Sequence, residues 1–116
     1  MLIEAEKKGM GDIMIACWKK KHYYNSNDIV RLEAKSNYTY IYSIAKRPLV
    51  VARVLALYEP LLTKIGFIRV HRSHLINPRH INSVDENGVV LLNDSTVIKL
   101  PRRKRQVLIR KLNSIY

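Results

Sequence analysis

The stretch Phe67-Ile-Arg-Val-His-Arg-Ser-His-Leu-Ile-Asn77 decides the fold. It begins as an alternating apolar strand and then turns polar. The polar and basic side chains within nine positions are Arg69, His71, Arg72, Ser73, His74 and Asn77. A buried polar group without a partner costs about 1–3 kcal/mol, so an ordinary core strand does not carry this many. We therefore expect the strand to end in a loop near Arg72, with the functional side chains at that edge.

Composition predicts one globular domain with an anionic partner. The 116 residues are enough for a single core, and 47% of them are apolar, which argues against disorder. Lys and Arg number 21 against 9 Asp and Glu, giving a net charge of +12. Such a charge favours nucleic acid as the partner, with an anionic membrane surface second. The alternative to an anionic partner is a basic surface that is only solvated.

Cysteine usage and hydropathy predict a cytoplasmic protein. Cys17 is the only cysteine, so no intrachain disulfide can form, as fits a reducing compartment. Its neighbours Ile15, Ala16 and Trp18 favour a small core residue over a reactive thiol. No apolar run approaches the roughly 20 residues of a membrane span, and the N-terminus lacks a signal-peptide pattern. We expect no membrane partner.

Strand and turn signals recur along most of the chain. We interpret residues 1–11 as a flexible leader and residues 12–116 as one domain. Residues 19–27 have a turn composition, with three lysines and then Asn-Ser-Asn. The remaining alternating or apolar runs predict strands at 12–18, 29–34, 38–45, 49–52, from 67, 81–84, 89–92 and 96–100.

Two helices are predicted. Apolar residues recur at helical spacing over 53–64, with a kink or restart at Pro60 and a stop at Gly66. Pro101 opens a second helix over 102–113, whose apolar stripe is Val107, Leu108, Leu112 and Ile115. No strand–helix–strand alternation occurs. The fold class is therefore mainly β, with antiparallel sheets, one middle helix and one C-terminal helix.

The sequence offers little for catalysis. It contains no Gly-rich phosphate loop, HExxH motif, nucleophile elbow or paired-carboxylate motif, so we expect no enzyme, no cofactor and no small-molecule substrate. His71, His74 and His80 suggest a metal site only if a helical turn brings the first two together, because a strand sends them to opposite faces. Hydrogen-bonded structural histidines are the simpler interpretation.

Double-stranded DNA is the partner that the basic residues fit best. Seven of these residues cluster near the last predicted strand and helix: Lys99, Arg102, Arg103, Lys104, Arg105, Arg110 and Lys111. Arg matches the paired acceptors of guanine, and Asn matches adenine. Asn37, Arg72 and Arg102 each lie at a strand-to-loop junction. Three loops could therefore present base-reading side chains on one edge of the sheets.

The run Phe67-x-Arg69-x-His71-Arg72-Ser73-x-Leu75-Ile76-Asn77 closely resembles the signature of LytTR-type DNA-binding domains. Asp28-Ile29, Leu32-Glu33-Ala34 and Asn37-Tyr38 resemble an earlier block of the same family. The resemblance covers roughly residues 12–113. It implies elongated antiparallel sheets whose loops enter successive major grooves at direct-repeat sites. It also implies a bacterial transcription regulator of the response-regulator, two-component type that bends DNA, with a second copy on the same DNA as a further partner.

The resemblance also implies site residues. Base contacts fall on Asn37, Tyr38, Thr39, Arg72 and Arg102. Contacts with the DNA backbone fall on Lys35, Arg103 and Lys104. The residues that shape the Arg72 loop are Arg69, His71, Ser73 and Asn77.

Two features depart from the family pattern. A receiver domain usually precedes such domains, whereas about eleven residues do so here, leaving a standalone regulator and a fragment both open. Pro101 stands where many members have a Ser.

Two other functions also stay open. One is a module for single-stranded nucleic acid or RNA that uses Tyr38, Tyr40 and Tyr42. The other is a protein-interaction domain.

Overall fold

A computed structural model describes the backbone of residues 5–7 and 12–115 and the side chains of residues 13–114. Within that part of the chain lie eleven strands and two α-helices. The strands are β1 (Ala5–Lys7), β2 (Asp12–Cys17), β3 (Lys20–Asn25), β4 (Ile29–Lys35), β5 (Tyr38–Ser43), β6 (Leu49–Val51), β7 (Ile68–His71), β8 (His74–Ile76), β9 (Ile81–Val84), β10 (Val89–Leu92) and β11 (Val97–Lys99). The helices are α1 (Glu59–Lys64) and α2 (Arg102–Ile115).

The strands form three antiparallel sheets. The central sheet has five strands in the order β6-β5-β4-β8-β7. The two others have three strands each, in the orders β1-β2-β3 and β11-β10-β9. The predicted fold class, antiparallel β with a middle and a C-terminal helix, is confirmed.

Both faces of the central sheet are covered. On one face, Leu32 of β4 packs in a cluster with Ile13 and Ile15 of β2 and with Leu62 of α1. On the other face, Val30 packs in a second cluster with residues of β10, β11 and α2. Val30 and Leu32 are two positions apart and yet enter different cores, because β4 is irregular between Ile29 and Arg31.

Two local predictions were wrong. Residues 20–25 form β3 rather than a turn, and Tyr24 of that strand is buried in the first cluster. The helix predicted over 53–64 begins only at Glu59, after an extended Val54 and a short 3₁₀ turn at Leu55–Leu57. Pro60 explains the late start. Proline has no backbone N–H and is tolerated only in the first turn of a helix, so a helix that contains Pro60 must begin just before it.

The deciding stretch is a hairpin rather than one strand with a loop. β7 and β8 pair around a turn at Arg72–Ser73. Ala5–Lys7, within the predicted leader, forms β1 against β2, and the rest of that leader lies outside the described residues. In α2, Leu108 is buried as predicted, whereas Val107 is exposed.

Candidate nucleic-acid interface

Two turns meet at one end of the central sheet. Ser36–Asn37 joins β4 to β5, and Arg72–Ser73 joins β7 to β8. β4 and β8 are neighbours, and the backbone N–H of Ala34 donates to the carbonyl oxygen of Ser73 at 2.9 Å. The two turns therefore lie side by side. We call this end, with residues 35–38, 52–53 and 72–73, the turn end.

The Arg72 turn is held by its neighbours. His71 Nδ1 accepts a hydrogen bond from the backbone N–H of Ser73 at 3.1 Å. The Arg69 guanidinium donates to the carbonyl oxygens of His71, at 2.8 Å, and of Arg72. An ion pair with Glu59 at the start of α1 anchors that guanidinium in turn. The backbone is fixed in this way, and the Arg72 side chain is left exposed.

The neighbouring turn presents Asn37 and Tyr38. Ser36 has a φ of +56°, a conformation that tight turns use. Asn37 is exposed, and 49% of Tyr38 is accessible. Thr39 disagrees with the sequence prediction of a base contact. It is fully buried, and its hydroxyl donates to the Arg53 carbonyl oxygen at 2.7 Å, because Thr39 lies on the face of β5 that packs against the first cluster.

The other tyrosines of β5 do not offer an open stacking face. Tyr40 and Tyr42 stack on each other, with ring centroids 6.3 Å apart. The guanidinium of Arg31 lies 3.7 Å from the Tyr42 ring centroid, and the ammonium of Lys35 lies 4.6 Å from that of Tyr40. The exposed Lys35 side chain thus runs along the sheet beside the turn end.

Arg102 lines a different depression from the groove at the turn end. The first turns of α2 present two different faces. Arg102, with Arg105 and Gln106, lines a depression against Glu86 and Asn87 of the β9–β10 turn. Arg103 and Lys104 instead line a groove that α2 forms with Ile68, Arg69 and Val70 of β7. Spacings of three and four residues place side chains on one helix face, which explains this division.

Gly88 fixes where α2 begins. The backbone N–H of Leu100 donates to the Gly88 carbonyl oxygen at 2.8 Å. A Cβ on Gly88 would lie 2.3 Å from the Leu100 carbonyl oxygen, so the chains approach as closely as only glycine permits. The β9–β10 hairpin therefore positions the residues that precede Arg102.

Asn77 lies at the opposite end of β8 from Arg72. It is 4% exposed, and its amide donates to the carbonyl oxygens of Ile29, at 2.9 Å, and Ser26, at 3.2 Å. It therefore holds the connection into β4 and not the Arg72 loop, which corrects the sequence prediction. A buried amide needs hydrogen-bonding partners, and the Asn77 amide finds them in the backbone, where it stabilises the fold.

Arg31 joins the central sheet to the β10–β11 connection. Its guanidinium pairs with Glu33 at 2.6 Å and with Asp94 at 3.2 Å, and it donates to the Thr96 hydroxyl at 3.1 Å. Burial alone would raise the pKa of Asp94. Hydrogen bonds from Thr96 and the charge of Arg31 outweigh burial, so this pKa lies below its ordinary value.

The hairpin brings His71 and His74 together, with ring centroids 5.6 Å apart. Burial lowers the pKa of His74 below its ordinary value, and the charges of His71 and Arg31 act in the same direction against that of Glu33. No group of three or more His, Cys, Asp or Glu side chains that could hold a metal occurs among the described residues.

Trp18 is a residue whose exposure the sequence did not indicate. It occupies the two-residue turn between β2 and β3, and 93% of it is accessible. Trp18 and Lys19 line an open groove with Tyr38 and Arg53 of the turn end. The signal that could have found this position is a tryptophan directly before three lysines in a hairpin.

The described helices include none long and apolar enough to cross a bilayer.

Comparison with known proteins gives one family and one fold. The model of the LytTr DNA-binding domain matches residues 19–113. Among solved structures, the chain is similar to the LytTr DNA-binding domain of a response regulator from Bacillus cereus. The TM-score is 0.70 and the identity 21%, with 90% of this chain and 98% of the other covered. At that identity the likeness shows the fold. None of the curated proteins matches the chain in sequence.

Proposed function

The chain belongs to the LytTr DNA-binding domain family, and on that premise we propose that it is a sequence-specific regulator of transcription in bacteria. Loop side chains enter successive major grooves of duplex DNA at a pair of direct-repeat sites. The regulator would be of the response-regulator type. The observation that carries it is the turn end, where Asn37, Tyr38 and Arg72 are presented together on a fixed backbone.

The turn end supports base reading in one major groove. The Arg72 guanidinium and the Asn37 amide have no hydrogen-bonding partner among the described residues, so both are available to base edges. A guanidinium can donate two hydrogen bonds to guanine, and an amide can pair with adenine. Tyr38 adds a half-exposed ring beside them.

Arg102 supports a second reading point. It lies in a separate depression from the turn end, at the start of α2. The chain extends 44 Å along its longest axis, and one turn of duplex is about 34–36 Å. The longest dimension of the chain thus exceeds one turn of duplex, which is the length that contacts in two successive major grooves require. Arg103, Lys104 and Lys35 then serve the phosphates.

The net charge of +12 supports salt-sensitive affinity. Each phosphate that a Lys or Arg neutralises releases counterions, so the binding constant falls as salt rises. The base-reading residues add discrimination of about 1–3 kcal/mol each. The affinity common to all duplexes comes mainly from the phosphate contacts, and the additional affinity for the selected site comes from the base-reading side chains.

Selection from a random duplex library with the purified chain tests the proposal. We expect a recovered pair of similar half-sites spaced by about one helical turn, roughly 10–10.5 bp, with an affinity that falls steeply in salt. Steep salt dependence without any enriched motif would contradict sequence-specific reading. Tighter binding to single strands than to duplex would favour the single-stranded alternative, and absence of DNA binding would favour a protein-interaction domain.

A further inference from the structure

We propose that the β2–β3 hairpin tip, formed by Trp18, Lys19, Lys20 and Lys21, is an additional DNA contact, with Trp18 packing on sugars and base edges that flank the segment held by the turn end. This inference rests on the proposed function and deepens it. The family match begins at residue 19, so β2 and Trp18 lie outside it.

The conformation of Trp18 is the first reason. Trp18 has a φ of +59° in a two-residue turn. Glycine and asparagine are the residues that usually occupy such positions, and a bulky side chain is disfavoured there. Tryptophan therefore works against the local fold at this position, and its 93% exposure means that it adds nothing to a core. A contact with another molecule would bury the Trp18 ring, which the fold itself leaves exposed.

The placement of the tip is the second reason. The thiol of Cys17 contacts the Val50 carbonyl oxygen at 3.6 Å, which ties the end of β2 to β6 beside the turn end. Trp18, Lys19, Tyr38 and Arg53 then line one open groove. The hairpin tip is in this way continuous with the surface proposed to read bases.

The charge of the tip and its continuity with the turn end favour DNA as the partner. Lys19, Lys20 and Lys21 are all exposed, and no Asp or Glu lies between residues 13 and 27. Lys20 and Lys21 are adjacent in a strand, so they project to opposite faces of the hairpin. An apolar ring flanked by ammonium groups fits the sugar–phosphate edge of a groove, where apolar side chains pack or insert and cations hold phosphates.

Trp18 is the only tryptophan of the chain, so its fluorescence reports on the tip alone. The duplex recovered by selection, extended by half a helical turn on each side and labelled, is titrated with protein. DNA anisotropy and tryptophan emission, excited where tyrosine does not absorb, are recorded together. We expect the emission to be quenched and protected from acrylamide with the same midpoint as the anisotropy. Unchanged emission at saturation would overturn the inference, while absence of any anisotropy change would overturn the proposed function and the inference with it.

Trp18→Asn separates binding from folding. Asparagine tolerates a positive φ, so the variant should melt at the same temperature as the wild type or higher. We expect at least about fivefold weaker binding to the extended duplex. Binding to a duplex trimmed to the core site should stay equal to wild type. Equal affinity of variant and wild type for the extended duplex would remove Trp18 from the interface.

Lys20→Gln tests the charges, with Lys64→Gln as the matched control. Lys64 ends α1 near the start of β7, at the opposite end of the central sheet from Arg72. Loss of one phosphate contact reduces the salt slope by about one. We expect that reduction for Lys20→Gln on the extended duplex and not for Lys64→Gln. The same slope for both variants would contradict a phosphate contact at the hairpin tip.

Discussion

The backbone N–H of Ala34 donates to the carbonyl oxygen of Ser73 at 2.9 Å, and this bond places two turns from distant parts of the sequence side by side. It continues the β4–β8 ladder by one step beyond the Glu33–His74 pair. Asn37 and Arg72 are thus presented from the same rigid sheet end. A site built on paired strands is held more precisely than one on free loops.

Arg72→Ala should relax sequence preference without changing stability. The Arg72 guanidinium has no partner among the described residues, so its loss removes nothing from the fold. If Arg72 reads a base, the selected duplex should bind about 5- to 150-fold more weakly, and random duplex almost unchanged. Arg47→Ala is the matched control, because Arg47 is exposed in the β5–β6 connection at the opposite sheet end. Equal losses on selected and random duplex would take Arg72 out of the base-reading set.

Arg102→Ala and Lys104→Ala should behave differently although the two residues share one helical turn. Arg102 is proposed to read bases, so its variant should relax preference in the half of the site that the turn end does not cover. Lys104 is proposed to hold a phosphate, so its variant should weaken all duplexes about equally and lower the salt slope by about one. Anisotropy titrations at several salt concentrations distinguish these outcomes. A uniform loss for both variants would make Arg102 a backbone contact.

Arg31→Ala should destabilise the fold by about 3 kcal/mol, the lower end of the cost of breaking a buried ion pair, because Glu33 and Asp94 keep some contact with solvent. The substitution leaves Asp94 and Glu33 partly buried without their cationic partner, which is the costly way to break an ion pair. Urea denaturation of the variant measures the loss. Adding Asp94→Asn should recover part of it, since the unpaired charge is then removed. A double variant as unstable as the sum of the single ones would argue against the coupling.

Stability should fall on acidification in two steps. The pKa of His74 is lowered in the fold, so the unfolded chain takes up its proton first, and stability falls as the pH drops below about 6.5. The pKa of Asp94 is also lowered, so a second loss begins below about 3.8. Denaturation midpoints measured across this range test both steps. His74→Gln should remove the first step and Asp94→Asn the second, and a step that survives its substitution has another origin.

Gly88→Ala should cost more than Gly66→Ala. Both glycines have a positive φ, of +86° and +105°, which costs an alanine about 1–2 kcal/mol. Only at Gly88 does the new Cβ meet backbone, 2.3 Å from the Leu100 oxygen, whereas space around Gly66 is open. The free energy of unfolding from urea titration compares the two variants. Equal costs would mean that the start of α2 can shift freely.

Local patterns predicted the elements whose signals are local. The β9–β10 turn, Gly66 and the start of α2 at Arg102 depend on residues within a few positions of one another. β3 was missed because its lysines indicate a turn, and the strand exists through its pairing with β2 and the burial of Tyr24. The helix over 53–64 was predicted too long because the apolar spacing continues through residues that are extended.

The candidate site was predictable in its residue types and not in its arrangement. Alternation along β5 already places Thr39 opposite to the tyrosines, and its burial follows once that face is known to meet the first cluster. Nothing local indicates that Asn77 turns towards Ile29, since that depends on where β8 ends relative to β4. The adjacency of the two turns likewise depends on a pairing between strands about forty residues apart.

The His71, Arg69 and Glu59 contacts that hold the Arg72 turn use backbone atoms of residues 71–73 and leave the Arg72 side chain out. Asn37 is likewise absent from the hydrogen bonds of the described residues. An exchange of either side chain would alter what the sheet end offers to a DNA site while the strands stay as they are. If these two side chains read bases as proposed, single substitutions at either position would change the target site of the domain without unfolding it.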